Sequence, residues 1–201
     1  MEEERYILRS ARWLAADAIR RHLCPGDLAV DATMGNGRDT ENLCRWVGKT
    51  GMVYAFDIQD QALAATRERL RTAELLERAT LIRAGHERMA EYVEKPVQAV
   101  VFNLGWLPGG EHSITTRTGT TERAVDAALK LLRPGGLLSV CVYPGHEEGK
   151  RELAMLLSKC EGLDVRRFTV LYHHFLNAGE EAPRLILVQK NPEGKAPVAD
   201  A

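Results

Sequence analysis

"AVDATMGNGRDTENL", residues 29–43, is the stretch on which the fold reading turns. An apolar run ends in Asp31. A loop containing Gly35 and Gly37 follows, and the chain then takes up a helical pattern. Strand, glycine loop, helix is the opening unit of an α/β sheet that binds a ligand past the carboxyl ends of its strands. Glycine lets backbone approach a ligand closely and adopt conformations closed to other residues. N–H groups at the start of the next helix then face a polar ligand.

The surrounding pattern extends this unit. "SARWLAADAIRRHL" has helical apolar spacing with Ser10 as N-cap, and "PGD" breaks it. "LAVDA", "GMVYAFDI", "ATLIRAG", "VQAVVFNLG" and "GLLSVCVYPG" read as strands. Between and after them, "GRDTENLCRWVG", "QDQALAATRERLRTAELL", "HERMAEYV", "TTERAVDAALKLL" and "EEGKRELAMLLSKC" read as helices. Five alternations predict a parallel doubly wound α/β sheet. "LDVRRFTVLYHHF" and "PRLILVQK" read as two strands joined by a short turn, an antiparallel hairpin on one edge. Residues 1–24 form an N-terminal helical extension and residues 191–201 a polar, flexible tail. With 201 residues, no repeat and no linker, one domain over 1–201 is expected.

Composition narrows the setting. The hydrophobic fraction is 45% and the charged fraction 27%, ordinary for a soluble globular chain. No apolar run reaches the ~20 residues of a membrane span, and the charged start lacks a signal-peptide core. A cytoplasmic location is the default. Cys24, Cys44, Cys141 and Cys160 have neither metal nor redox-motif spacing, so reduced thiols are expected and no metal is assigned. A net charge of −1 argues against a wholesale nucleic-acid coat. Local basic clusters remain at Arg5, Arg9, Arg12, Arg20 and Arg21, and at Arg166 and Arg167. The N-terminal cluster is a candidate phosphate contact or a solvated helix face.

Asp57 ends the second strand in "YAFDIQ", 26 residues after Asp31. An acid here accepts hydrogen bonds from both hydroxyls of a ribose. Two ligand classes fit, a dinucleotide and S-adenosyl-L-methionine. In "GNGRDT" the third glycine of the dinucleotide fingerprint is Thr40. Asp31 and Asp39 would repel a pyrophosphate but suit a ligand with an ammonium and a sulfonium. His86 and Glu87 follow the third strand, where adenine would lie; the plain alternative is a helix cap.

The fourth strand ends in Asn103 and enters a long loop, "NLGWLPGGEHSITT". Long loops in compact domains are usually functional. Methyl transfer to nitrogen needs the acceptor's lone pair held in line with the methyl group. An Asn carbonyl and a backbone carbonyl can each accept one N–H of an amine and so aim that lone pair. "NLGW" has the outline of the Asn-Pro-Pro-Tyr loop of amino-group methyltransferases. Trp106 is either a stacking platform for a base or an anchor that packs the loop. His112, Tyr143 and His146 are candidate proton acceptors; for each histidine a structural hydrogen bond is the plainer role.

"VDATMGNGRDT", "YAFDIQ", "HERM", "VFNLGWLPGGEHSITTRTGTT", "LLRPGG" and "VYPGHEEGKRE" occur in this order. Together they resemble the small class I S-adenosylmethionine-dependent methyltransferases labelled rRNA methylases, the YtqB/MnmM type, over residues 8–190. The resemblance implies a Rossmann-like, seven-stranded, mostly parallel sheet with an antiparallel C-terminal hairpin strand and helices on both faces. It implies N-methylation of the aminomethyl group of a wobble uridine in the anticodon arm of tRNA, giving 5-methylaminomethyl-2-thiouridine, and a homodimer. By position, Asp31, Thr33, Gly35, Asn36, Gly37, Asp39, Asp57, Gln59, His86 and Asn103 would surround the cofactor, with Thr40, Ile58 and Glu87 in the same segments. Gly105, Trp106, Pro108, Gly109, His112 and Thr115 would face the substrate. One departure is "FLNAGEEAPRLIL", which replaces an Asn-Gln…Pro-Pro turn with Asn177 and a single Pro183. Other readings are methylation of rRNA or a small amine, and a non-catalytic cofactor-binding module.

Overall fold

The computed structural model describes Leu8, residues 10–106 and residues 115–192. Pro108, Gly109 and His112 lie outside the described residues, as do Arg5 and Arg9 and most of the polar tail. The helices are α1 (Ala11–His22), α2 (Arg38–Trp46), α3 (Asp60–Thr72), α4 (Thr118–Leu131) and α5 (Glu147–Glu161). The strands are β1 (Leu28–Asp31), β2 (Met52–Asp57), β3 (Ala79–Arg83), β4 (Val97–Asn103), β5 (Leu132–Val142), β6 (Phe168–His173) and β7 (Arg184–Lys190). They form one seven-stranded sheet of order β3-β2-β1-β4-β5-β7-β6. β1 pairs in parallel with β2 on one side and β4 on the other. The strand order reverses there, so a crevice opens past the carboxyl ends of β1 and β4.

Both faces of the sheet are covered, which is why the central strands are apolar throughout rather than alternating. One face packs Ala29, Val53, Ala99 and Val101 against Ile19 of α1, Leu43 of α2 and Leu70 of α3. The other packs Val30, Phe56, Val100 and Phe102 against Ala124 and Ala128 of α4 and Leu156 of α5. Ser10 caps α1, its hydroxyl accepting the Trp13 N–H at 3.2 Å. Helix α1 also packs Ala11 and Ala15 on Cys141 and Leu185.

Four boundaries differ from the sequence reading. Helix α4 runs straight into β5 at Leu132, and Arg133–Gly136 bulge from the strand instead of preceding it. Leu132 pairs with Val97 and Leu137 with Ala99, so the extra residues are absorbed in the ladder. Arg133 on this bulge bonds Gln98 and ion-pairs with Asp27 at 3.0 Å, closing the sheet's far end. Residues 163–167 form a turn ahead of β6, where Asp164 accepts the Arg166 N–H at 2.9 Å. The hairpin is wider than expected: β7 lies antiparallel between β5 and β6, and residues 174–183 connect it to β6. The predicted helix after β3 is a 3₁₀ helix, His86–Glu91, and α3 ends at Thr72 ahead of Glu74, whose φ is +57°.

Three of the four cysteines are buried and all four are free thiols. Among the described residues no helix is long and apolar enough to cross a membrane, and no cluster of His, Cys, Asp and Glu could hold a metal.

Gly51 shows how closely α2 and β2 are joined. A Cβ there would lie 2.4 Å from the Val47 Cβ, 2.5 Å from the Val47 carbonyl oxygen and 2.6 Å from that of Asp27. Two of these neighbours are backbone and cannot rotate away. Gly51→Ala is expected to destabilise the fold by about 1–3 kcal/mol through overpacking. Urea unfolding should show a lower midpoint at unchanged slope.

Candidate active site

The loop after β1 is held from three sides. Gly35 (φ +50°) and Gly37 (φ +75°) take the left-handed backbone that lets the chain turn back into α2. The Gly35 N–H donates to Asp57 Oδ2 at 3.1 Å, tying the loop to the end of β2. From α3, the Thr66 hydroxyl donates to the Gly35 carbonyl at 2.9 Å and Arg69 Nε donates to the Asn36 carbonyl at 2.8 Å. A Cβ on Gly37 would sit 2.7 Å from the Thr66 hydroxyl oxygen, so α3 presses directly on the turn. No side chain caps the start of α2. Thr66 and Arg69 went unread in the sequence because nothing local distinguishes them from other helix residues.

Asp57 accepts the Gly35 N–H on one oxygen and the Gln59 N–H, at 3.0 Å, on the other. Burial raises its carboxyl above the usual range against these bonds. Ile58 beside it is 55% exposed, an apolar platform on the rim of the crevice. Asp31 is fully buried; it accepts the Thr40 hydroxyl at 2.6 Å and the Thr33 N–H at 3.2 Å. Burial, then the nearby charge of Asp39, pushes the Asp31 carboxyl up to about 7. Its route to a ligand in this arrangement is charge rather than contact.

Asn103 stands at the end of β4 on the side facing α1 and α2. Its N–H donates to the Thr33 hydroxyl at 2.7 Å. Its side-chain Nδ2 donates to Asp39 Oδ2 at 2.8 Å, and the other Asp39 oxygen takes Arg12 of α1 at 3.0 Å. A carboxylate only accepts, so the Asn103 amide must turn its NH₂ toward Asp39 and its oxygen away. That oxygen, Oδ1, is buried and has no hydrogen-bond partner. Arg12, read from sequence as a candidate phosphate contact, is thus paired inside the site.

The stems of the substrate loop are fastened to α5. The Gly105 N–H donates to the Thr116 hydroxyl at 2.9 Å, and the Thr116 N–H to the Gly105 carbonyl at 3.1 Å. The Thr116 and Thr121 hydroxyls donate to Glu152 at 3.0 and 2.6 Å. Glu152 is fully buried, and burial raises its carboxyl. Its role was readable: Gly149, Glu152, Leu156 and Cys160 form one buried stripe of α5, and a charge inside such a stripe needs partners. Trp106 pairs with Thr115 across the stems and lies 4.7 Å from the His146 ring, yet stays 37% exposed.

Of the candidate proton acceptors, His112 lies outside the described residues, and the other two, Tyr143 and His146, are poorly placed for that task. His146 is the N-cap of α5, its Nδ1 accepting the Gly149 N–H at 3.1 Å. The neutral ring therefore carries its proton on Nε2 and has no free lone pair. Burial pushes the Tyr143 phenol up to about 12, so it keeps its proton and is too weak a base to take another. His86 is buried, bonded to the Ala32 backbone and tilted on Phe102 at 5.5 Å; burial lowers its pKa and keeps the ring neutral. It fills space beneath the crevice. The Glu87 carboxylate folds over Gly85, where a Cβ would meet it at 2.3 Å.

A curated chloroplastic "tRNA (mnm(5)s(2)U34)-methyltransferase" of Arabidopsis thaliana is 39% identical over 175 residues, 82% of this chain. The chain spans 64% of that relative's length. A crystal structure described as a "putative rRNA-methylase" from Clostridium thermocellum superposes with a TM-score of 0.90 at 41% identity, covering 92% of this chain and 99% of that one. A "putative methyltransferase" from Streptococcus mutans, solved in complex with SAH, gives 0.83 at 35% identity with the same coverage. A family model described as "Putative rRNA methylase" matches residues 53–189. That match takes in more than half of the chain, and the chain belongs to this family.

Proposed function

We propose that the chain is an S-adenosyl-L-methionine-dependent N-methyltransferase acting on the aminomethyl group of a wobble uridine in tRNA. The observation that carries this reading is the buried, unpartnered Oδ1 of Asn103 at the mouth of the crevice. An acceptor without a donor, fixed in direction by Asp39, suits the N–H of a primary amine. The printed activity of the plant relative and the SAH in the Streptococcus mutans structure point the same way.

The residues present fit the cofactor. Asp57, with lone pairs beyond its two backbone bonds, would accept the ribose hydroxyls, and Ile58 would lie against the adenine. The uncapped start of α2 would receive the carboxylate, while Asp31 and Asp39 supply negative charge for the ammonium and sulfonium. When bound, the group supplies an electrophilic methyl. The chain's own part is positioning: Asn103 accepts one N–H and leaves the amine's lone pair directed. Trp106, braced on His146, would stack on the base, with Gly105 and Thr115 beside it. Among the described residues Tyr143 is a protonated phenol and too weak a base, and His146 has its Nδ1 lone pair committed to a backbone N–H, so the amine enters uncharged or loses its proton to water. A homodimer holding the anticodon arm in the cytoplasm belongs to the same proposal.

The direct test combines purified protein, labelled cofactor and tRNA carrying the unmethylated aminomethyl uridine, followed by nucleoside identification. The methylaminomethyl nucleoside is expected; label in rRNA or none in tRNA would overturn the assignment. Asn103→Ala should lower kcat by roughly 100-fold with cofactor affinity little changed, as for loss of one aligned polar contact to the reacting group. Retention of full turnover would remove Asn103 from the chemistry. Asp57→Ala should weaken cofactor binding by about 10- to 100-fold, since hydrogen bonds to a charged group are lost; calorimetry reads this directly.

A pH effect follows from Asp31. Its carboxyl, pushed up to about 7, is protonated below that pH and negative above it. Affinity for the positively charged cofactor should therefore rise as pH increases through about 7. The neutral product SAH should show less of this rise, and Asp31→Asn should flatten it. Titrations at about pH 6 and about pH 8 bracket the transition. Equal pH slopes for the two ligands would rule out a charge effect.

A further inference from the structure

We infer that Arg12 and Asp39 are positioning residues that set the polarity of Asn103, so that the site presents an acceptor and not a donor to the substrate. This rests on the reading of Asn103 as the amine-holding group.

An asparagine amide is nearly symmetric in shape. Packing alone scarcely distinguishes its oxygen from its nitrogen; only hydrogen-bond partners do. Asn103 has one polar side-chain partner, Asp39 Oδ2 at 2.8 Å, and its far atom Oδ1 is buried without one. Whatever faces Asp39 decides what faces the crevice. Asp39 can only accept while it is ionised, and a protonated Asp39 could donate to Oδ1 and allow the reverse orientation. Arg12 prevents this. Its guanidinium donates to the other Asp39 oxygen at 3.0 Å, so that oxygen is already an acceptor and the remaining one is left to face the Asn103 amide. The Asp39 side chain is 19% exposed and that of Arg12 40%, so the carboxylate is the shielded partner and the guanidinium keeps contact with water. The polarity thus runs from a donor on α1, through an acceptor on α2, to a donor at the end of β4, and leaves the buried Oδ1 as an unpaired acceptor.

The arrangement can be inverted and restored. In Asp39→Asn, Arg12 donates to the new carbonyl, so the new NH₂ faces residue 103. Asn103 then accepts with Oδ1 and turns Nδ2 outward, a donor facing the amine's N–H. Adding Asn103→Asp returns an acceptor to the crevice, because a carboxylate accepts from both sides. Asn103→Asp alone sets two carboxylates against each other and gives no such relief.

On tRNA bearing the aminomethyl uridine and at saturating cofactor, D39N should lower kcat by roughly 100-fold, with SAH binding weakened as well because a charge that faces the ammonium is lost. N103D alone should be similarly impaired. The double variant D39N/N103D should recover to within roughly ten-fold of the unaltered protein. A double variant no better than the worse single one would overturn the inference, since a merely structural Asp39 predicts no rescue. A second readout needs no turnover. The Asn103 side-chain amide signals in ¹H–¹⁵N spectra, assigned by their loss in N103D, should shift in D39N as the carboxylate-bonded proton loses its partner. Unchanged signals would refute the inference whatever the substrate. Shifted signals in a chain that leaves this tRNA unmethylated would uphold it and defeat the tRNA assignment instead.

Discussion

Three carboxylates, Asp31, Asp39 and Asp57, share one crevice, and like charges in a poorly solvated place repel strongly. The local structure answers that constraint differently for each. Asp57 accepts two backbone N–H groups, which work against the burial that raises its carboxyl. Asp39 is paired with Arg12. Asp31, fully buried, has no cation and instead holds its proton more tightly, up to about 7. Cationic ligands relieve this strain and anionic ones worsen it, so the selectivity of the crevice follows from how its empty state is kept folded. The same logic separates a sulfonium nucleoside from a dinucleotide more firmly than the glycine loop does.

The supports come from outside the crevice. Helix α3 presses Thr66 and Arg69 on the loop after β1, α1 supplies Arg12, and α5 holds the substrate-loop stems through Glu152. Each support is a charged or hydroxyl group reaching a backbone or carboxylate oxygen. Such bonds contribute about 1 kcal/mol each to stability but fix direction well. Under the proposed mechanism, aiming a lone pair requires direction more than affinity.

The fold was legible because its signals are local. Apolar runs ending in Asp31, Asp57 and Asn103, each followed by a turn, mark strand ends at one edge of a sheet, and the structure places them there. The boundaries that went astray depend on distant partners. "RPGG" reads as a stop, yet its bulge is absorbed because β4 skips register between Val97 and Ala99. The breadth of the last hairpin depends on β7 pairing with both β5 and β6. Within the site, the glycines and Asp57 were legible by position, whereas Arg12 was taken for a surface cation because its partner lies 27 residues away on another helix. His146 and Tyr143 were nominated by chemistry alone; a cap bond and burial, both tertiary facts, make them unsuited to take a proton.

If the substrate is an amine, as proposed, the question is why no evident base stands beside Asn103 among the described residues. A group able to take the amine's proton would need a free lone pair beside the reacting nitrogen. If that group were anionic it would also hold the ammonium form, whose nitrogen has no lone pair for the methyl carbon, at some cost in rate. Asn103 avoids that cost. An amide carbonyl accepts a hydrogen bond but is far too weak a base to take the proton, so it orders a neutral amine without stabilising the charged one as strongly as a carboxylate would. The nearest carboxylate, Asp39, is kept from that role by being committed to Arg12 on one side and to the Asn103 amide on the other. The pairing that keeps three acids compatible with one another therefore also keeps a strong base away from the reacting nitrogen.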